Sequence, residues 1–327
     1  MLAVFRDAGL FEEQYDLAQD DPQGAIPSSW LRREKLKRLA FFSFRLDIYF
    51  YFLRGHNPTL RYDELSLTTP CSEKLWDAQT AEEWHQVKRI ESQKRTPMRF
   101  MNLVDIALDR EGRAGLPSLL EDEYFHGLCA MQIWLWRDIN RSRSLKELPR
   151  TFQASGICSR PAISRAIDFW AMQLTIWRDC LRSRALGSLL SSQKHREMTE
   201  SSAILLYHLS QMSLRADLKV IKDVSLGQRH PQYSGNFKRQ LESTISEWAK
   251  SPDARQAMWH SAQVLKLLQR TARQSETGEA THSSSHIGFI VSIALYEAGL
   301  VAWAYARSVQ IRLSSLALSE EKCFDGG

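Results

Sequence analysis

The chain has 327 residues, 43% hydrophobic and 25% charged, a globular mixture that excludes disordered, collagen-like and low-complexity classes. Fifteen Gly and ten Pro are too few for an all-β chain built on tight turns. Forty-three basic residues against 38 acidic ones leave a net charge of +5, milder than a dedicated nucleic-acid binder carries.

Ten Trp call for an aromatic-rich core or a large apolar pocket. The five cysteines, Cys71, Cys129, Cys158, Cys180 and Cys323, lie far apart. With no C-x-x-C they give no structural zinc framework, and their odd, scattered set points to a reducing compartment. The start, MLAVFRDAGLFEEQYD, lacks a basic segment followed by an apolar run, so no secretory signal is read there.

Apolar residues recur at three and four almost throughout, and sustained period-2 alternation is absent. The expected fold is all-α, an irregular multi-helix domain of roughly a dozen helices around one aromatic-rich core. A first helix is expected over about 1–19, then a loop DDPQGAIPSSW. Ser28 or Ser29 is the expected cap of the next helix. Its first turns are basic (Arg32, Arg33, Lys35, Lys37, Arg38), and its continuation LAFFSFRLDIYFYFL is apolar nearly all round. A helix of that kind is expected to be buried on every face, and it is too short to span a bilayer. Gly55, Asn57 and Pro58 end it.

A turn-rich link over 61–78 follows, broken at Thr69-Pro70. Ser72 and Thr80 are expected to cap two short helices. Over 120–140, Phe125, Leu128, Met131, Trp134 and Leu135 mark a core stripe, and over 161–186 Trp170, Leu174, Trp177 and Leu181 mark another. Further helices are expected over 199–224, after Ser251-Pro252 and over 287–306. The chain is expected to end in a flexible tail over 311–327.

Several residues invite chemistry. The 287–306 segment has the length of a membrane span, but Glu297 near its centre favours a buried core helix. Asp47, alone on an apolar helix, is expected to belong to a buried hydrogen-bond network, with Arg54 or Arg45 as partner. His282 and His286 have an i,i+4 spacing, yet no third metal ligand matches them. LEDEYF at 120–125 is the nearest approach to an aspartate-rich magnesium site and lacks its repeated spacing. None of the common nucleotide-binding, serine-hydrolase or zinc-protease motifs occurs. No catalytic, cofactor-binding or metal residue is assigned. An all-helical terpenoid-synthase-like enzyme and a tail-anchored membrane protein stand as alternatives.

Read together, SSWLRREKLKRLAFFSFRLDIYFYFLRGHNPTLRYDEL and TTPCSEKLWDAQTAEEW resemble the fungal-specific transcription factor domain, the middle homology region. Trp30, Glu34, Lys37-Arg38, Asp47, Pro58, Pro70-Cys71, Trp76 and Trp84 fill the places of its motif. SEWAKSPDARQAMWHSAQVLKLLQR and ALYEAGLVAWAYA look like its closing helices. The resemblance runs from about residue 1 to about 308, is specific in the first half and generic over 100–230, and implies a domain over 1–310.

The resemblance implies a nuclear, non-enzymatic regulatory domain that senses an effector and meets co-regulators or the transcription machinery. A small-molecule effector and a homodimer are further partners it implies. The branch resembled carries two-Cys two-His zinc fingers, and none lies in these 327 residues. DNA contact is therefore expected only through a module outside them, with the N-terminal part of the domain missing, and no membrane contact is expected. Within that reading, Asp47 with Arg45 or Arg54 locks the central helix. Trp76 and Trp84 anchor the link, and His260, Gln263 and Glu297 make internal polar contacts.

Overall fold

The computed structural model describes residues 2–12, 25–55, 57–108, 119–146, 160–184, 190–227, 235–276 and 288–324. Among them are twelve α-helices and no strand, only an isolated antiparallel bridge between Thr68 and Arg99. The chain divides into two compact units, Met1–Ile204 and Leu205–Gly327. The all-α expectation holds, and burial is distributed over both units.

In the first unit, α1 spans Leu2–Asp7 and α2 spans Ser28–Arg54. Neither Ser28 nor Ser29 caps α2: Pro27 occupies the N-cap, and that end has no side-chain cap. Gly55 ends the helix as expected, with φ 65° and its N–H bonded to the Tyr51 carbonyl. Next come α3 (Glu73–Trp76), α4 (Ala81–Lys94), α5 (Phe100–Leu108), α6 (Glu121–Lys146) and α7 (Arg160–Arg184). Thr80 does cap α4, accepting from the Glu83 amide at 3.2 Å.

The expectation that the apolar part of α2 is buried all round is corrected. Ala40, Phe41, Phe44, Ile48 and Phe52 are buried, whereas Leu39, Phe42 and Phe50 are exposed. The inward face packs on α5 and α6: Phe41 and Phe44 each meet the Phe100 ring edge-on, at 5.1 and 5.2 Å. A helix seated on one side of a core has only one face to bury, however greasy its composition.

The two predicted aromatic stripes face each other. Phe125, Leu128, Met131 and Leu135 of α6 are buried, as are Trp170, Leu174, Trp177 and Leu181 of α7. Trp177 donates its indole N–H to the Tyr124 carbonyl at 2.6 Å. It lies so close over Gly127 that a Cβ there would come within 2.4 Å of the ring. That glycine is a packing requirement, not a flexible point.

Helix α8 (Gln193–Arg215) begins in the first unit and ends in the second. It is followed by α9 (Leu218–Gly227), α10 (Gly235–Trp248), α11 (Pro252–Glu276) and α12 (Gly288–Phe324). Ser251 caps α11 through the Ala254 amide, with Pro252 at the first helical position. Helices α11 and α12 pack on each other, and small residues on both are buried, Ala254, Ala257 and Ser261 on α11 and Ala294, Ala298 and Ala304 on α12. Ser261 closes the contact by donating to the Ala298 carbonyl at 2.9 Å.

Helix α12 runs on to Phe324, so the segment expected as a tail is helical that far. Its window Phe289–Ser314 is long and apolar enough to cross a membrane by length and composition, with 39% buried within the protein. As with α2, the expected burial on every face is not found: Ile290, Ile293, Ala294, Glu297, Ala298, Val301 and Ala304 are inside, but Phe289, Leu295, Tyr296, Ile311 and Leu313 are exposed.

Candidate functional site

The densest polar construction lies in the first unit, around the link Thr69–Ser72. Arg95, one residue past α4, is surrounded by acids. Its guanidinium meets Glu91 Oε1 at 2.5 Å and Glu123 Oε1 at 2.6 Å, with all three side chains at most 7% exposed. The remaining donors and acceptors are used on the link. Arg95 also donates to Thr69 Oγ1 at 2.7 Å and to the Pro70 carbonyl at 3.0 Å. Glu123 accepts from Thr69 Oγ1 at 2.6 Å and from the Leu120 amide at 2.8 Å. Glu91 accepts from the Ser72 hydroxyl at 2.6 Å. Burial works against the charged guanidinium, but Glu123 and Glu91 outweigh it and Arg95 holds its proton more tightly than usual.

Ser72, expected as a helix cap, makes no such bond. Its hydroxyl is drawn to Glu91, a charged acceptor and so the stronger one.

The same link is gripped from α2. Glu34, buried, accepts from the Cys71 amide at 2.8 Å, and Arg38 donates to the Cys71 carbonyl at 3.1 Å. Arg38 also lies 4.6 Å over the Trp76 ring. Lys37 donates to Thr68 Oγ1 at 2.5 Å. Beside this network opens a cleft of about 140 Å³, lined by Trp30, Glu34, Lys37, Cys71, Lys88 and Arg95 among others. Trp84, 1% exposed, sits with Leu75 and Ala78 and meets Trp30 edge-on at 5.2 Å. Burial pushes the Cys71 thiol well above its usual range, so it is no ready nucleophile.

Asp47 is buried, but its partners are not the expected arginines. Oδ2 accepts from the Thr59 and Leu60 amides at 2.7 and 2.8 Å, and Oδ1 from the Thr59 hydroxyl at 2.8 Å. The carboxylate thus holds the turn after buried Pro58. Arg45 and Arg54 instead lie 5.9 and 5.3 Å from the rings of Phe42 and Phe50. The Asp47→Ala variant leaves two backbone amides without an acceptor, so a loss of about 3 kcal/mol is expected. A chemical-denaturation midpoint equal to wild type would remove this role.

The acids of 121–123 hold no shared ion-binding geometry; each points to a protein partner. Glu123 serves Arg95. Glu121 accepts from Ser191 at 3.2 Å. Asp122 pairs with His195 Nε2 at 3.0 Å and accepts from Thr199 at 3.2 Å. Burial favours neutral forms at both groups, yet the mutual hydrogen bond prevails, lowering Asp122 and raising His195. Glu73 binds the start of α8, accepting from the Ser192 amide and hydroxyl at 2.6 and 2.8 Å.

In the second unit, Glu297 is fully buried on α12, with Lys222 Nζ of α9 at 2.5 Å from Oε1. Among the described residues neither carboxylate oxygen has a further hydrogen-bond donor. Burial pushes Glu297 up to about 7, against the pull of Lys222. His260 is buried with its Nδ1 2.9 Å from Nδ1 of His208. One of the two must donate and the other accept, so both cannot be imidazolium in this arrangement. Gln263 is half-buried.

The residues named from sequence thus form three groups. Trp30, Cys71, Trp76 and Trp84 surround the cleft and its link. Asp47 and Pro58 fix the turn after α2. His260 and Glu297 are interior in the second unit. Glu91, Arg95, Lys222 and His208 escaped sequence reading, and Glu123 entered it only as part of LEDEYF, not as a partner of Arg95. Only the Glu91–Arg95 i,i+4 spacing gave any signal, and that spacing is more often a surface pair. His282 and His286 lie outside the described residues. Among the described residues, no group of three or more His, Cys, Asp and Glu is placed to hold a metal ion.

Residues 3–129 match the family model described as fungal specific transcription factor domain, the family whose motif the sequence resembles. A 55-residue stretch is 42% identical to zinc finger protein klf1 of Schizosaccharomyces pombe, covering 17% of this chain and 7% of that protein. This chain therefore matches only a small part of that relative's length. No solved structure matches.

Proposed function

Taking residues 3–129 as a fungal specific transcription factor domain, we propose that this chain is the effector-sensing and interaction part of a nuclear transcription regulator. It reads DNA only through a zinc-dependent module outside these residues and performs no chemistry itself. The observation that carries the effector reading is the cleft beside the Thr69–Ser72 link. Its wall is a charged, hydrogen-bonded network rather than inert packing, and its lining includes Glu34, Lys37, Lys88, Glu91 and Arg95. A small polar molecule or a partner side chain seated there competes for those charges. It favours one packing of the link against α2 and α4, and so shifts a two-state equilibrium.

The test is a fusion of the full chain to an unrelated DNA-binding module at a reporter promoter. Reporter output is expected to differ several-fold from that of the module alone. Lys88→Glu, which reverses one cleft charge, is expected to change that difference. The unfused chain is expected to bind DNA weakly, without sequence preference and with steep loss in salt. A tight, salt-tolerant, sequence-selective complex made by the chain alone overturns the proposal, as does a reporter indifferent to the fusion.

A further inference from the structure

We propose that the cleft beside the Thr69–Ser72 link binds a small free monocarboxylic acid. Lys37 and Lys88 take its carboxylate, and Trp30 and Leu75 support its apolar body. The proposal deepens the effector reading above and rests on it for its regulatory meaning.

Most charged groups around the cleft are already engaged. Glu34 accepts from the Cys71 amide at 2.8 Å and lies 3.5 Å from the Arg38 guanidinium. Glu91 is held by Arg95 and by the Ser72 hydroxyl, and Arg95 is shared with Glu123. Two cations differ. Lys37, half-buried on α2, donates to Thr68 Oγ1. Lys88, exposed on α4, lies 4.3 Å over the Trp84 ring. Neither meets a carboxylate among the described residues. The cleft is thus lined by the cations Lys37, Lys88 and Arg95 against the acids Glu34 and Glu91. Arg38 and Glu123, which pair with Glu34 and Arg95, add one charge of each sign and leave the same single positive excess. A monoanion balances that excess, where a neutral ligand leaves it and a dianion reverses it. A carboxylate can also accept charge-assisted hydrogen bonds from two ammonium groups at once.

The body of the ligand follows from the other wall. Trp30, half-buried and met edge-on by Trp84, and Leu75 give the cleft its apolar side. Its volume of about 140 Å³ is close to the ~150 Å³ that encloses a benzene ring. One ring or a short branched chain fills it. Because Lys37 belongs to α2 and Lys88 to α4, one carboxylate bonded to both ties these helices together beside the link. That is the differential contact which a shift between two packings requires.

The test titrates the full chain with benzoate, followed by calorimetry and by the Trp30 indole resonance, which is identified by its loss in Trp30→Phe. One equivalent is expected to bind. Benzamide, which lacks the charge, and acetate, which lacks the body, are each expected to bind about tenfold more weakly or worse. Lys37→Gln and Lys88→Gln are each expected to weaken benzoate about fivefold or more. The thermal melt of Lys88→Gln, a change at an exposed side chain, is expected to match that of wild type. Benzoate that fails to bind, binds no better than benzamide, leaves the Trp30 resonance in place, or keeps full affinity in both lysine variants overturns the assignment. So does a tetrapeptide ending in a Phe carboxylate that binds far tighter than benzoate and loses that gain on amidation, which gives the cleft to the chain end of a partner protein. The regulatory reading fails separately. Benzoate bound at Trp30 with a reporter indifferent to the fusion upholds the site and overturns that reading; an active fusion with no benzoate bound does the reverse.

Discussion

Arg95→Met is expected to destabilise the chain by about 3–5 kcal/mol, the cost of leaving buried charges uncompensated. The mutation removes one cation from between two carboxylates, Glu91 and Glu123, and the three side chains are at most 7% exposed. Neither acid can turn to water without giving up its hold on the link. Glu91 would release Ser72, and Glu123 would release Thr69 and the Leu120 amide. Urea denaturation is the measurement, and a midpoint within error of wild type would remove the network from any structural role.

A companion variant separates charge from hydrogen bonding. Glu91→Gln with Glu123→Gln in the Arg95→Met background keeps an acceptor oxygen for Ser72 and for the Leu120 amide, turns the other end of residue 123 into an N–H donor toward Thr69 Oγ1, whose arginine donor is gone, and removes both stranded charges. Most of the lost stability is expected to return, because the dominant penalty in the single variant is the unpaired charge rather than the lost volume. If the triple variant is no better than the single one, the argument from charge fails even though the position remains important. A purely apolar replacement is not expected to restore stability here, since it would strand the backbone and hydroxyl donors of the link.

Why this network was invisible in the sequence, while so much of the fold was not, has a physical reason. Helix periodicity, caps and breakers are local. Gly55, Thr80 and Ser251-Pro252 announce helix ends because the chemistry of a helix end is decided within four residues. The stripes through Phe125–Leu135 and Trp170–Leu181 were legible for the same reason, as each is a statement about one helix. Polar pairing across the fold is different. Arg95 is 28 residues from Glu123, and Lys222 is 75 from Glu297; no local pattern ties them. Asp47 shows the intermediate case. Its isolation on an apolar helix points to an internal hydrogen-bonding group, but nothing local says that its donors are not the nearby cations. They are backbone amides of the turn that the helix leads into. Composition misled in one respect: it averages over a helix, and so cannot tell a buried rod from a one-sided one. Both α2 and α12 are one-sided: each carries exposed large apolar side chains on one face and buried ones on the other.

The second large effect concerns Glu297 and pH. Its carboxyl is pushed from 4.5 up to about 7, first by burial, with Lys222 pulling the other way. The folded chain therefore keeps this proton over a range in which the unfolded chain has lost it. A state that binds more protons is favoured by acid, so the contribution of this group to stability is greatest below about pH 4.5. It declines as pH rises toward 7 and is constant above that. A shift of this size corresponds to about 3 kcal/mol across the window. Glu297→Gln imitates the protonated carboxyl at every pH. Wild type and variant are expected to match near pH 4.5, and the variant is expected to gain on wild type steadily up to about pH 7. Taking the difference between the two cancels other groups that titrate in the same range. Hydrogen-exchange protection of the α12 amides around residue 297, followed as a function of pH, reads this locally. A wild-type-to-variant difference that stays flat with pH would mean that Lys222, 2.5 Å away, keeps the carboxylate ionised throughout and that the buried pair is permanent.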